Sequence, residues 1–118
     1  MADKTPKKVF AAFFRTAAGS EPVRDWLKDE LAPADRRIVG ADIATVEFGW
    51  PVGMPVCRPL GKGLYEVRSS LSSNRIARVI FCFHADALVL LHGFIKKTQK
   101  TPKSDIEIAR KRQKEIVA

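Results

Sequence analysis

The chain has 118 residues, 46% of them hydrophobic, which fits one folded domain and argues against a disordered chain or two domains. Its two cysteines, Cys57 and Cys82, are too few for a disulfide framework and neither lies in a CxxC pair, so both are read as reduced thiols rather than as metal or redox ligands. A formal net charge of +8 attracts polyanions at long range, which leaves nucleic acid, an acidic protein and an anionic membrane surface as partner classes.

The first residues, Met1 to Lys8, lack the apolar stretch of a signal peptide. The expectation is a single domain over residues 1–118, with 1–8 as a flexible lead-in, working in the cytoplasm. The longest apolar region, Val79 to Ile95, is broken by His84, Asp86 and His92 and is too short to span a membrane. Val9 to Arg15 (VFAAFFR) is apolar on both faces and is read as a strand buried on both sides. Ser20 is placed to cap a helix carrying Val23, Trp26, Leu27 and Leu31 at helical spacing. A second helix is expected over Asp35 to Phe48, with Ile38, Val39, Ile43 and Val46 on one face and Gly40 as a weak point. Glycines and prolines from Gly49 to Gly63 then punctuate a long loop.

Three strands follow, over Leu64 to Leu71, Ile76 to Phe83 and Ala87 to Ile95, separated by short turns that predict an antiparallel meander. Ser104 and Glu107 fit a capping box opening a last helix to Val117, with Ile106, Ala109, Gln113 and Ile116 as its packed stripe. The expected fold is therefore α+β: strand, two helices, three-strand meander, helix, with one antiparallel sheet.

Alternation along the first meander strand puts Glu66 and Arg68 on one face, and Tyr65 and Val67 on the other, towards the helices. Arg78 is the one charge in an apolar strand and must reach solvent, a carboxylate such as Glu66 or Asp86, or a phosphate. His92 falls on the face of Leu90 and Phe94, either as a core or edge residue or as a catalytic group, and His84 lies in a turn. No second histidine or carboxylate stands at metal-ligand spacing, so neither metal nor cofactor is expected. The run Lys96, Lys97, Lys100 and Lys103 lies between a strand and a helix. It is either a solvated loop or, together with Arg68, Arg78 and Arg110, one basic face open to an anion.

Gly63-Leu64-Tyr65-Glu66-Val67-Arg68, Arg78-Val79-Ile80-Phe81 and the string LLHGFIKKTQKTP from Leu90 to Pro102 resemble the phage-derived HigB-like toxins of the RelE/ParE superfamily. The resemblance covers nearly the whole chain in element order and is strongest from Gly63 onwards. It implies a RelE-like microbial RNase-type fold and a type II toxin that cleaves mRNA on the ribosome without a metal. It also implies a helix-turn-helix, HigA-like antitoxin as partner. Carried over by position, Arg68, Arg78 and Lys96 would serve the phosphate, and Glu66 and His92 are the candidate bases. Lys97, Lys100, Lys103 and Arg110 would bind RNA. The sequence departs at Phe81, where many relatives carry an aromatic hydroxyl. The rival class is a non-enzymatic binder: a ParE-like gyrase inhibitor or a domesticated RNA-binding module. The two separate on whether Arg68, Arg78 and Lys96 share one open concavity.

Overall fold

A computed structural model describes residues 7–54, 56–96 and 99–117. Along the chain run β1 (Phe10–Phe13), α1 (Pro22–Asp29), α2 (Pro33–Gly49), β2 (Cys57–Gly61), β3 (Leu64–Ser70), β4 (Ile76–His84), β5 (Ala87–Lys96) and α3 (Lys103–Val117). The strands form a single sheet in the order β1-β5-β4-β3-β2. The expected meander is present: β3, β4 and β5 pair antiparallel in sequence. Its β4–β5 turn uses Ala85 and Asp86, both at positive φ, the geometry that matches the twist of a two-residue hairpin.

Three expectations are corrected. The sheet is mixed, because β1 runs parallel to β5, from Phe10 opposite Ala87 to Phe13 opposite Leu90. Parallel neighbours need a long crossover, and everything from α1 to β4 supplies it. β1 is not buried on both sides. It is an outer strand with Phe10 62% exposed, and among the described residues no strand pairs along its far side. The long loop contains a strand: β2 pairs with β3 through a turn at Lys62 and Gly63, both at positive φ. As the opposite outer strand it tolerates Pro59, which could not donate inside a sheet.

Both helices before Gly49 cover one face of the sheet. Val23, Trp26, Leu31, Val39, Ile43 and Val46 pack there with Val67, Val79, Phe81, Leu88 and Leu90. Ile38, expected in this stripe, is turned outwards. The other face carries Leu64, Ile80, Cys82, Leu91 and Phe94 under α3, whose Ile106, Ala109 and Ile116 meet them as the stripe predicted. Two caps differ from expectation. Ser20 bonds within its turn to Thr16, with the hydroxyls 2.8 Å apart, and α1 starts on Pro22 behind Glu21. α3 starts at Lys103, ahead of the Ser104 box, and the Asp105 and Ile106 N–H groups donate to the Pro102 carbonyl.

β5 carries a bulge. Ile80 pairs with His92 and Phe81 with Leu90, leaving Leu91 as the extra residue. Leu90 faces α1 and α2, whereas Leu91 and Phe94 face α3. His92 therefore shares a face with Phe94 but not with Leu90, which corrects the simple alternation. Beyond the bulge Gly93 lies beneath Trp26, where a Cβ would stand 2.4 Å from Cε3 of the indole.

Candidate functional site

The site is built on the α3 face of the sheet, where cross-strand pairing fixes three rows. Arg68 lies opposite Arg78, and Arg78 opposite Phe94. One row over, Arg58 pairs with Glu66, Glu66 with Ile80, and Ile80 with His92. In the row on the other side, Ser70 pairs with Ile76 and Ile76 with Lys96. Two like charges directly opposite each other destabilise a sheet unless something compensates them. Here the Glu66 carboxylate does part of that work, with Oε1 3.4 Å from the Arg68 Nε.

More is done by Gln99, Lys100 and Thr101, between β5 and α3. The Arg68 Nη2 donates to the carbonyl oxygen of Gln99 at 2.6 Å, and the Arg78 Nη1 to that of Lys100 at 3.1 Å. The Thr101 hydroxyl donates to Glu66 Oε2 at 2.5 Å. Thr101 is buried, while Gln99 and Lys100 are exposed, so this cover is one chain thick. Beneath it Arg78 has 0% of its surface exposed. Burial pushes its guanidinium below the ordinary arginine range, Arg68 and Arg58 push the same way, and Glu66 and Asp105 oppose them. Arg68 lines a depression that it shares with Ile38, Met54, Ser70 and Gln99.

His92 belongs to a second cluster. Its Nε2 lies 2.7 Å from Asp105 Oδ1, and its Nδ1 lies 3.5 Å from Arg112 Nη1. Arg112 also donates to the Leu91 carbonyl at 2.8 Å, and the imidazole stacks on Phe94 with centroids 5.3 Å apart. Asp105, in the first turn of α3, suits the positive end of that helix. Both ring nitrogens of His92 thus have partners, and the histidine clips β5 to α3.

Of the residues singled out from sequence, Glu66, Arg68 and Arg78 come together, and Lys96 stands exposed at the end of the neighbouring strand. They do not share an open concavity. Lys100 contributes its backbone carbonyl to the cover. Lys103 is exposed on the first residue of α3 and Arg110 is half-buried further along it. Lys97 lies outside the described residues. Phe81 faces away from the arginines, stacked on Tyr65 in a cluster with Trp50 and Phe83, so a hydroxyl there would not meet them. Sequence reasoning missed Arg58, Thr101 and Asp105. The alternation of Cys57, Arg58, Pro59 and Leu60 could have shown Arg58, but the prolines and glycines around it look like a loop.

Residues 25–114 match the family described as phage-derived protein Gp49-like (DUF891). The chain belongs to this family. The Gp49-like match starts inside α1 and ends inside α3, so it takes in the Arg58, Glu66, Arg68, Arg78 and Lys96 positions and leaves β1 outside. No curated protein matches the chain. Among the described residues no helix is long and apolar enough to cross a membrane.

Proposed function

We propose that this Gp49-like protein is the toxin of a toxin–antitoxin pair and acts as a ribosome-dependent mRNA endoribonuclease of RelE-like fold. The observation that carries the reading is the pair Arg68 and Arg78, held directly opposite each other on one face, with Arg58 and Lys96 in the adjoining rows. Such an array suits a phosphodiester, since a guanidinium can give two parallel hydrogen bonds to phosphate oxygens. In the reaction the ribose 2′-OH attacks the adjacent phosphorus and loses its proton. The bond to the 5′ oxygen breaks, and that oxygen takes up a proton, leaving a 2′,3′-cyclic phosphate and a 5′-OH. Charge grows on the phosphorane, where fixed arginines count most. The mRNA in the ribosome is the substrate, and a helix-turn-helix antitoxin is the partner that silences it.

The test is single-turnover cleavage on programmed ribosomes with saturating protein. Arg78→Lys keeps the charge and much of the bulk but loses the fork. It should melt near the wild type and cleave on the order of a hundredfold more slowly. Cleavage at the wild-type rate would place Arg78 outside the chemistry.

The covering of Arg78 and the ion pair of Arg68 favour a second reading, a non-enzymatic binder that grips gyrase or RNA through other surfaces. Binding to one of these without any mRNA cleavage would establish it.

A further inference from the structure

The carbonyl oxygens of Gln99 and Lys100 are consecutive, and they accept from consecutive guanidinium groups of one cross-strand pair. Two phosphate oxygens would ask for the same donors. Gln99 and Lys100 meet these guanidinium groups with neutral peptide carbonyls, while the face beneath holds Arg58, Arg68 and Arg78, opposed by the carboxylates of Glu66 and Asp105. A charged acceptor makes hydrogen bonds roughly twice as strong as a neutral carbonyl. A phosphodiester therefore compensates this face better than the segment now lying on it. The cover is also easy to release. Gln99 and Lys100 are exposed, and Thr101 is held by the Glu66 hydrogen bond.

We infer that the Gln99–Thr101 segment occupies the phosphate site as a strap, and that RNA binds Arg68 and Arg78 by displacing it. The Thr101–Glu66 hydrogen bond is the latch. This rests on the reading of the arginine pair as the RNA site and adds how that site is reached. In the latched form the protein has its arginines in place but shielded, so a phosphodiester presented in a fixed position is favoured over free RNA in solution.

Phenylglyoxal, which modifies accessible guanidinium groups, reads the latch directly when each arginine is followed by mass spectrometry. In the wild type Arg78 should react far more slowly than the exposed Arg24 and Arg37. Thr101→Val removes the hydroxyl but keeps the shape. It should raise the Arg78 rate about tenfold, in line with losing one hydrogen bond to a charged group. Thr101→Ser, which keeps the hydroxyl, should restore slow modification. A single-stranded 2′-O-methyl RNA, which cannot be cleaved, should protect Arg68 and Arg78 in Thr101→Val and bind it about tenfold more tightly than wild type. Unchanged Arg78 modification in a folded Thr101→Val would overturn the strap and leave the cleavage reading standing. Faster modification without protection by RNA would overturn RNA as the displacing ligand. Slower amide exchange at 99–101 on RNA binding would show RNA resting on the strap and would also overturn displacement.

Discussion

Trp26 stands where Gly93 would have a side chain: a Cβ on Gly93 would meet three indole atoms at 2.4–2.9 Å. The contact joins α1 to β5 just past the bulge. Gly93→Ala should destabilise the fold by about 1–3 kcal/mol, the usual cost of forcing a methyl into a packed core. Adding Trp26→Leu should recover part of that loss, because the two sites share the clash. Denaturant unfolding of the four chains of the cycle checks this, and strictly additive costs would show that the indole is not what excludes the methyl.

Glu66 holds two roles at once, as ion partner of Arg68 and as acceptor for Thr101. Glu66→Ala leaves buried guanidinium groups facing each other with no carboxylate between them. The expected loss is about 3–5 kcal/mol, the scale for breaking a buried pair. Urea titration measures it, and a loss below about 1 kcal/mol would mean that the strap carbonyls compensate the arginines unaided.

At the other end of the sheet, the Glu47 carboxylate accepts the Ala11 N–H at 2.8 Å and pairs with Lys7 at 3.2 Å. It covers a donor on the outer side of β1. Glu47→Ala should cost about 1.5–3 kcal/mol and speed amide exchange at Ala11 more than at residues in the middle of β4. Equal acceleration throughout the sheet would assign the carboxylate a global role instead.

Burial pushes the His92 imidazole below its ordinary value of 6.5, while Asp105 pulls it up and Arg112 adds to the lowering. The unfolded chain therefore takes up a proton that the fold resists. This contribution to stability is complete above the unfolded value and is lost as pH falls through it towards the folded one. Between about pH 7.5 and pH 5.5 the wild-type Tm should fall more than that of His92→Gln. Parallel falls in both chains would show that His92 does not carry the dependence.

Cys57 and Cys82 are free, as expected from their number, and both are buried. Burial, helped by Glu66, pushes the Cys57 thiol up to about 11, and burial raises Cys82. The thiolate is the reactive form. A disulfide thiol reagent at neutral pH should label neither cysteine until denaturant is added, and stoichiometric labelling of the native protein would contradict this burial.

The meander was legible because its signals are local: alternating residues in Leu64–Ser70 and Ile76–His84, and short turns between them. The stripe of α3 was legible for the same reason. What escaped depends on position in the sheet. Phe10 and Phe13 look central by composition, yet they lie on an outer strand. Pro59 looks like loop, yet an outer strand tolerates it. The bulge at Leu91 moves His92 to the opposite face from Leu90, and no residue type there announces an extra position. Alternation put Glu66 and Arg68 on one face, and Arg78 stood out as the one charge in an apolar strand, with Glu66 among its candidate partners. Their cover was not legible, because Gln99 and Lys100 act through backbone carbonyls, which every residue has.

The first strand pairs with the last. Phe10 to Phe13 wait for Ala87 to Leu90, so the sheet gains this pairing only after β5 has left the ribosome. Closing so long a loop costs chain entropy before any contact repays it, and such distant pairings slow folding. Until then the aromatic stretch around Phe13 and Phe14 lacks its strand partner and is a segment in need of protection from aggregation. A growing chain of this protein therefore passes through synthesis with its sheet unfinished, and a ribosome stalled before β5 releases a product that lacks the partner of its own first strand.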